Sequence, residues 1–85
     1  MRKKYQMYNG FDSQLLSDYP IIEAKNGADA CKKLLNQLGI KYTRIKRSAS
    51  NNVRIKAEPF KEENGIKYAD GICSWFEIYN GEYLL

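Results

Sequence analysis

The chain has 85 residues, a net charge of +4, an apolar share of 44% and a charged share of 28%. This length favours a single domain with one modest core, and the composition excludes a disordered chain. The absence of His and a count of two Cys exclude a dense disulfide framework and the common zinc sites.

The sequence predicts a cytoplasmic protein without a metal, a cofactor or a membrane contact. The segment MRKKYQMYNG begins with cations, but no apolar run of signal-peptide length follows them, and no stretch is long enough to span a bilayer. Cys31 and Cys73 form no Cys-x-x-Cys pair, so we interpret both as reduced structural thiols.

Charge is distributed unevenly along the chain. Residues 41–56 hold six Lys or Arg and no acid, whereas residues 58–85 hold six acids and two Lys. A basic segment of this kind favours an anionic partner, so its place in the fold bears directly on function.

Two strand-like segments, KKYQMY at 3–8 and YPIIEA at 19–24, occupy the first third of the chain. Residues 9–18 between them fit either a hairpin or an irregular loop. The tripeptide Tyr-Asn-Gly occurs here and again at 79–81. Because Asn-Gly tolerates the positive φ of tight turns, the repetition indicates shared turn chemistry rather than duplication.

A single amphipathic helix is predicted at about 27–38. Its apolar residues follow a spacing of three and four, with polar residues on the other face. Asn26 is placed to cap the N-terminus, Asp29 lies in the first turn, and Gly39 is placed to end the helix. Cys31 lies in the apolar stripe, which predicts a core residue rather than a reactive thiol.

After the helix the pattern changes to the period of two that is typical of strands. The segments YTRIKR at 42–47 and NVRIKA at 52–57 alternate between apolar and basic residues. The polar residues 48–51 predict a hairpin between them. In that hairpin Arg44 lies opposite Arg54, or Lys46 does if the register slides by two. In either register an anionic partner would relieve the repulsion between like charges.

A second hairpin is predicted at Asn64-Gly65. Its two-residue turn sets a register that places Arg54 across from Trp75 and Lys56 across from Cys73. The strand that follows continues toward Tyr79 with an interruption near Asp70-Gly71, and a terminal hairpin at 80–81 places Ile78 opposite Tyr83. The sequence therefore predicts one α+β domain over residues 1–85, in the order β-(β)-α-β-β-β, with the helix on one face of a mainly antiparallel sheet.

Nothing in the chain indicates catalysis. Without His, a nucleophile lacks its usual base. The carboxylates Glu58, Glu62 and Glu63 cluster at a predicted hairpin tip, where a solvated surface explains them. We therefore expect a binding module rather than an enzyme.

The candidate site is the sheet face opposite the helix, where cations alternate with aromatic rings. Bases stack on aromatic faces while Lys and Arg neutralise phosphates, so this combination favours RNA or single-stranded DNA. Four cations would hold phosphates, and a Tyr and a Trp would stack bases. The predicted site residues are Tyr42, Arg44, Lys46, Arg54, Lys56 and Trp75.

Two alternatives account for the same residues. The first is a protein-binding or homodimerising module, in which Trp75, Tyr79 and the C-terminal EYLL form an apolar patch or an open edge strand. The second is the ordinary polar outer face of a half-covered sheet, with no specific partner.

Overall fold

The computed structural model describes residues 2–9, 20–48 and 55–85. One helix and seven strands lie in these ranges, and every strand pair is antiparallel. The predicted α+β class is confirmed. In chain order the elements are β1 (Lys3–Asn9), β2 (Ile21–Ala24), α1 (Gly27–Leu38), β3 (Arg44–Ser48), β4 (Ile55–Glu63), β5 (Ile66–Ala69), β6 (Ser74–Asn80) and β7 (Tyr83–Leu84).

The helix α1 begins and ends where the sequence predicts. The side chain of Asn26 accepts a hydrogen bond from the Asp29 N–H at 2.8 Å, and Gly39 ends the helix with a φ of 70°. The Asp29 carboxylate accepts the backbone N–H of Lys25, and this bond lowers the pKa of Asp29. The buried residues of α1 are Ala30, Cys31, Leu34 and Leu35.

The main path of the sheet runs β2-β1-β4-β6-β3, with β5 paired to β4 and β7 paired to β6. The helix packs on one face, against β1, β2, β4 and β6. Each central strand contributes a completely buried side chain to this face, namely Met7, Ile55 and Ile78. The core therefore lies between α1 and the middle of the sheet. Burial of each side chain of this size contributes about 1.5–3 kcal/mol to stability.

The position of β3 differs from the prediction. In the structure β3 pairs with β6, and β6 separates it from β4, so these two strands do not form the hairpin predicted at 48–51. The connection between them, at 49–54, lies outside the described residues. Alternation predicts which face a residue occupies, but the order of strands depends on packing between distant segments. Placing β6 between two strands buries Phe76 and Ile78 from both sides.

The turn at Asn64-Gly65 is the two-residue turn that the sequence predicts. Glu63 lies opposite Ile66, and both turn residues have positive φ, at 54° and 80°. A type I′ turn needs positive φ at both positions, which is why Asn-Gly is a strong hairpin signal.

A bulge separates β5 from β6. Residues 70–73 lie opposite only residues 58–59 of β4. The Asp70 N–H donates to the Pro59 carbonyl at 3.1 Å, and Gly71 then takes a φ of 137°, in the region that favours glycine. The interruption predicted at this point is confirmed.

Because of the bulge, the predicted register beyond it is wrong by two residues. Lys56 lies opposite Trp75 in the structure, whereas the prediction placed it opposite Cys73 and placed Arg54 opposite Trp75. Arg54 itself lies outside the described residues. A shift of two keeps every side chain on its predicted face.

The terminal hairpin is present, with its turn one residue later than predicted. Asn80 pairs with Tyr83, and the Leu85 N–H donates to the Ile78 carbonyl at 2.8 Å. Leu85, rather than Tyr83, therefore lies beside Ile78 and packs against the core.

Candidate nucleic-acid interface

The outer face is the side of the sheet that α1 does not cover. Within the described ranges it carries no helix. Four neighbouring strands contribute one row of residues across it, with Tyr8 beside Lys56, Lys56 beside Trp75, and Trp75 beside Ser48. The row alternates aromatic and polar groups at the spacing of adjacent strands, so the predicted combination of cations and rings is present over this part of the sheet.

Lys56 is shared between a ring and a carboxylate. Its ammonium lies 4.8 Å from the centre of the Tyr8 ring and 3.3 Å from Glu58 Oε2. Both charged side chains are about one-third exposed, so solvent screens the pair and its net contribution to stability is small. Lys56 is thus held in place next to Trp75.

A second cation–ring pair lies at the end of β6. The Arg44 guanidinium carbon is 4.3 Å from the centre of the Tyr79 ring. The Tyr79 hydroxyl donates to Glu77 Oε2 at 2.7 Å, and this bond to a carboxylate raises the pKa of Tyr79. The ring therefore stays neutral and fixed, with Arg44 stacked over it.

Lys46 is the least engaged of the predicted cations that the structure describes. It is exposed and lies opposite Glu77 in the pairing of β3 with β6, but it makes no ion pair with any residue that the structure describes. Its ammonium is therefore available to an anionic ligand.

Tyr42 does not lie where the sequence predicts. It precedes β3, is partly buried, and packs against the core cluster. The reason is that the strand begins at Arg44, because Thr43 bends the chain and bonds the Tyr79 carbonyl through both its N–H and its hydroxyl. Strand alternation does not extend back to Tyr42, so this side chain is not a stacking platform on the outer face.

In the described strand pairing Arg44 does not face Arg54, so the repulsion predicted between these two cations does not arise from that pairing. Arg44 lies opposite Tyr79, an aromatic residue, because β6 rather than β4 is the neighbour of β3. The outer face consequently has cation–aromatic neighbours where the sequence predicts two cations.

Sequence reasoning missed the part of the outer face that β1 contributes. A small cavity of about 160 Å³ lies there, lined by residues that include Tyr8, Phe60 and Lys67. The Lys67 ammonium lies 5.0 Å from the centre of the Phe60 ring. The alternation in KKYQMY places Tyr8 on the face opposite to that of the buried Met7. Some fifty residues separate β1 from β4 in the sequence, so no local pattern predicts that these two strands pair.

Cys31 is buried in the core, and burial raises the pKa of its thiol to about 12. This agrees with its predicted structural role, because a protonated buried thiol is unreactive. No helix in the described ranges is long and apolar enough to cross a membrane. The same ranges contain no group of three or more His, Cys, Asp or Glu that could hold a metal ion.

Fold and surface together define a small α+β domain whose single helix covers one sheet face and whose other face carries cation–aromatic pairs. Comparison with protein-family models, with curated proteins and with solved structures found no match to this chain.

Proposed function

We propose that this protein is a small non-enzymatic module that binds single-stranded nucleic acid on its outer face. The observation that supports this most is the placement of Trp75 next to Lys56 in the same row, with Arg44 and Lys46 on the adjoining edge strand. A strand of RNA or DNA lying over this row would stack a base on the indole and bring phosphates to the edge cations.

The contributions of these groups differ in kind. Stacking on Trp75 adds about 1–3 kcal/mol per base, largely independent of sequence. Arg44 and Lys46 add phosphate contacts that weaken as salt rises. Glu58 and Glu77 also lie on this face, and their charge opposes the approach of phosphates. We therefore expect modest affinity and strong salt dependence.

The lone Trp makes the test direct. Short RNA and DNA oligonucleotides are titrated into the protein while Trp75 fluorescence is followed at several salt concentrations. We expect quenching, with an affinity that falls steeply as salt rises. No change in fluorescence at low salt with either nucleic acid would refute the proposal.

A pair of neighbouring cations provides the matched control. Lys46 is on the outer face, whereas Arg47, next to it in β3, bonds Ser74 on the helix side of the sheet. Lys46→Gln and Arg47→Gln remove the same charge a few ångströms apart. With oligonucleotides that have 5′-hydroxyl ends, we expect only Lys46→Gln to weaken binding and to lower the salt slope by about one. Equal losses would indicate general attraction to a basic protein.

A protein-binding function remains the second candidate because two apolar side chains at the C-terminus are exposed. Tyr83 is 80% exposed and Leu84 is 59% exposed, both in the short edge strand β7. Sedimentation of the wild type and of a Tyr83→Ser, Leu84→Ser double variant tests the homodimerising form of this function. A dimer that the double variant dissociates would support self-association through β7, and a monomer in both would count against it.

A further inference from the structure

A larger cavity lies on the other side of the sheet, where the start of α1 meets β6. Its volume is about 530 Å³. Three cations from three different elements line it, Lys3 of β1, Lys32 of α1 and Arg47 of β3, and no acidic residue is among the described residues that form its wall. We call it the Arg47 cavity.

The three cations have no carboxylate partner among the described residues. The Lys3 ammonium donates to the backbone carbonyl of Asp70 at 2.8 Å, and Arg47 donates to the Ser74 hydroxyl at 2.7 Å. The Lys32 side chain makes no hydrogen bond or ion pair with any part of the chain that the structure describes. On the outer face Lys56 contacts an acid directly, whereas Lys46 has no described ion pair. No described carboxylate therefore contacts the cavity's three cations directly, although the charge of Asp70 reaches Tyr5, which also lines the cavity.

Ser74 supplies a buried donor at the same place. Its side chain lines the cavity, and the residue is only 7% exposed. The hydroxyl oxygen accepts the Arg47 bond, and the described residues offer no acceptor for its own proton. Arg47 thus occupies the hydroxyl oxygen, and the hydroxyl proton can be donated to a ligand or water that enters the cavity.

The start of α1 forms one wall and lies very close to Ser74. A Cβ added at Gly27 would come within 3.2 Å of the Ser74 hydroxyl oxygen, so a larger residue there would narrow the cavity. Gly27 and Ala28 are in the first turn of the helix, where N–H groups have no acceptor within the helix. The rest of the wall includes the apolar side chains of Ile45, Pro59 and Phe76.

We propose that the Arg47 cavity binds a phosphate monoester that carries a small ring. A phosphate monoester has nearly two negative charges at neutral pH and three acceptor oxygens, which the cations and the Ser74 hydroxyl can satisfy together. The volume leaves room for a ring of sugar or aryl size against the apolar wall. This site is on the opposite face from the proposed nucleic-acid interface and does not depend on it.

Phenyl phosphate is a suitable probe, with inorganic phosphate and phenol as its two halves. Amide NMR spectra of the complete chain, titrated at low salt, should show shifts of the Gly27, Ala28 and Ser74 signals. We expect phenyl phosphate to bind more tightly than phosphate, and phenol to leave these signals unchanged. If neither phosphate compound shifts these three amides, the proposal is wrong.

Substitutions of single cations distinguish specific binding in the Arg47 cavity from general attraction of phosphate to a basic protein. Arg47→Gln should lower the affinity for phenyl phosphate about tenfold, the effect of losing one charge-assisted bond. Lys46→Gln, the neighbour on the other face, should leave it within about twofold. Because Arg47 also supports Ser74, Lys32→Gln is a second test, and this exposed side chain has no described partner whose loss could unfold the protein. Equal effects of the Lys46 and Arg47 substitutions would overturn the proposal.

The phosphate could belong to a small molecule or to the end of a nucleic acid. One oligonucleotide with a 5′-phosphate and the same oligonucleotide with a 5′-hydroxyl distinguish these sources. A gain in affinity from the 5′-phosphate that Arg47→Gln abolishes would assign a nucleic-acid end. Phenyl phosphate binding without such a gain would assign a small molecule. Failure of outer-face binding would show in the Lys46 variant and in Trp75 fluorescence, so the two proposals fail separately.

Discussion

The two faces of the sheet are built from the same strands but handle positive charge differently. On the outer face, Arg44 stacks on a ring and Lys56 contacts both a ring and an acid. On the face that α1 covers, Lys3, Lys32 and Arg47 line one cavity with no acid in its described wall. The outer face therefore combines cations with rings and acids, with Lys46 unpaired among the described residues, whereas the cavity gathers three cations that contact no described acid.

The difference shows that exposure alone is a poor guide to a binding site. Solvent screens the cations of an open sheet face and satisfies them at little cost. Lys32 and Arg47 are themselves exposed, but they line one cavity together with Lys3, so a single ligand of opposite charge can interact with several cations at once there. The following predictions test this contrast, from the largest expected effect to the smallest.

Substitutions at two adjacent residues of β6 should differ most in their effect on the free energy of unfolding. Ile78 is completely buried under α1, whereas Tyr79 is half-buried on the outer face. We expect Ile78→Ala to lower the free energy of unfolding by about 2–5 kcal/mol, because it leaves a cavity in the core. Tyr79→Ala should cost about 1 kcal/mol or less. Urea unfolding measures both, and similar losses would mean that the outer face is itself covered.

Alkaline pH provides a second test of the covered face. The pKa of Cys31 is raised from its ordinary value of 9.0 to about 12 by burial. Below pH 9 the thiol is protonated in both states, but above it only the unfolded chain releases the proton, so stability falls as pH rises toward 12. We expect a loss of about 1 kcal/mol near pH 10.

The matched variant for this effect is Cys31→Ala, which is less stable overall but should lose less stability between pH 8 and 10 in urea unfolding. Tyr5 also contributes to the loss of stability at alkaline pH in both proteins, because its pKa is raised, first by burial and second by the charge of Asp70. An unchanged pH slope in Cys31→Ala would mean that the thiol is not buried.

The helix cap is the next effect in size. Asn26→Ala removes the bond to the Asp29 N–H, and we expect it to lower the unfolding free energy by about 1 kcal/mol. Because this turn also forms a wall of the Arg47 cavity, binding of phenyl phosphate should weaken too. Asn36→Ala, in an exposed part of the same helix, is the control and should leave stability within about 0.5 kcal/mol.

The smallest expected effect concerns the acids of the outer face. Glu77→Gln should raise the affinity for nucleic acid about twofold to threefold, because it removes a charge that opposes phosphates beside Arg44 and Lys46. Trp75 fluorescence titration measures it. Glu62→Gln, at the exposed hairpin tip, removes an equal charge far away, and an equal gain there would remove the evidence for a local site.

Local sequence determined a large part of this fold. The caps Asn26 and Gly39 and the spacing of apolar residues fixed the limits of α1, since each acts within a few residues of the helix end. Asn64-Gly65 fixed its own turn, because few residue pairs tolerate two positive φ angles. Alternation also placed Lys46, Lys56 and Trp75 on one face.

Tertiary structure decided the order of the strands and everything that depends on it. Alternation is unchanged by a shift of two residues or by a different neighbour, so it could not predict the bulge at 70–73 or the place of β3 beside β6. The Arg47 cavity is the clearest case. Its cations come from β1, α1 and β3, segments far apart in the chain that meet only because the core between them packs in one way.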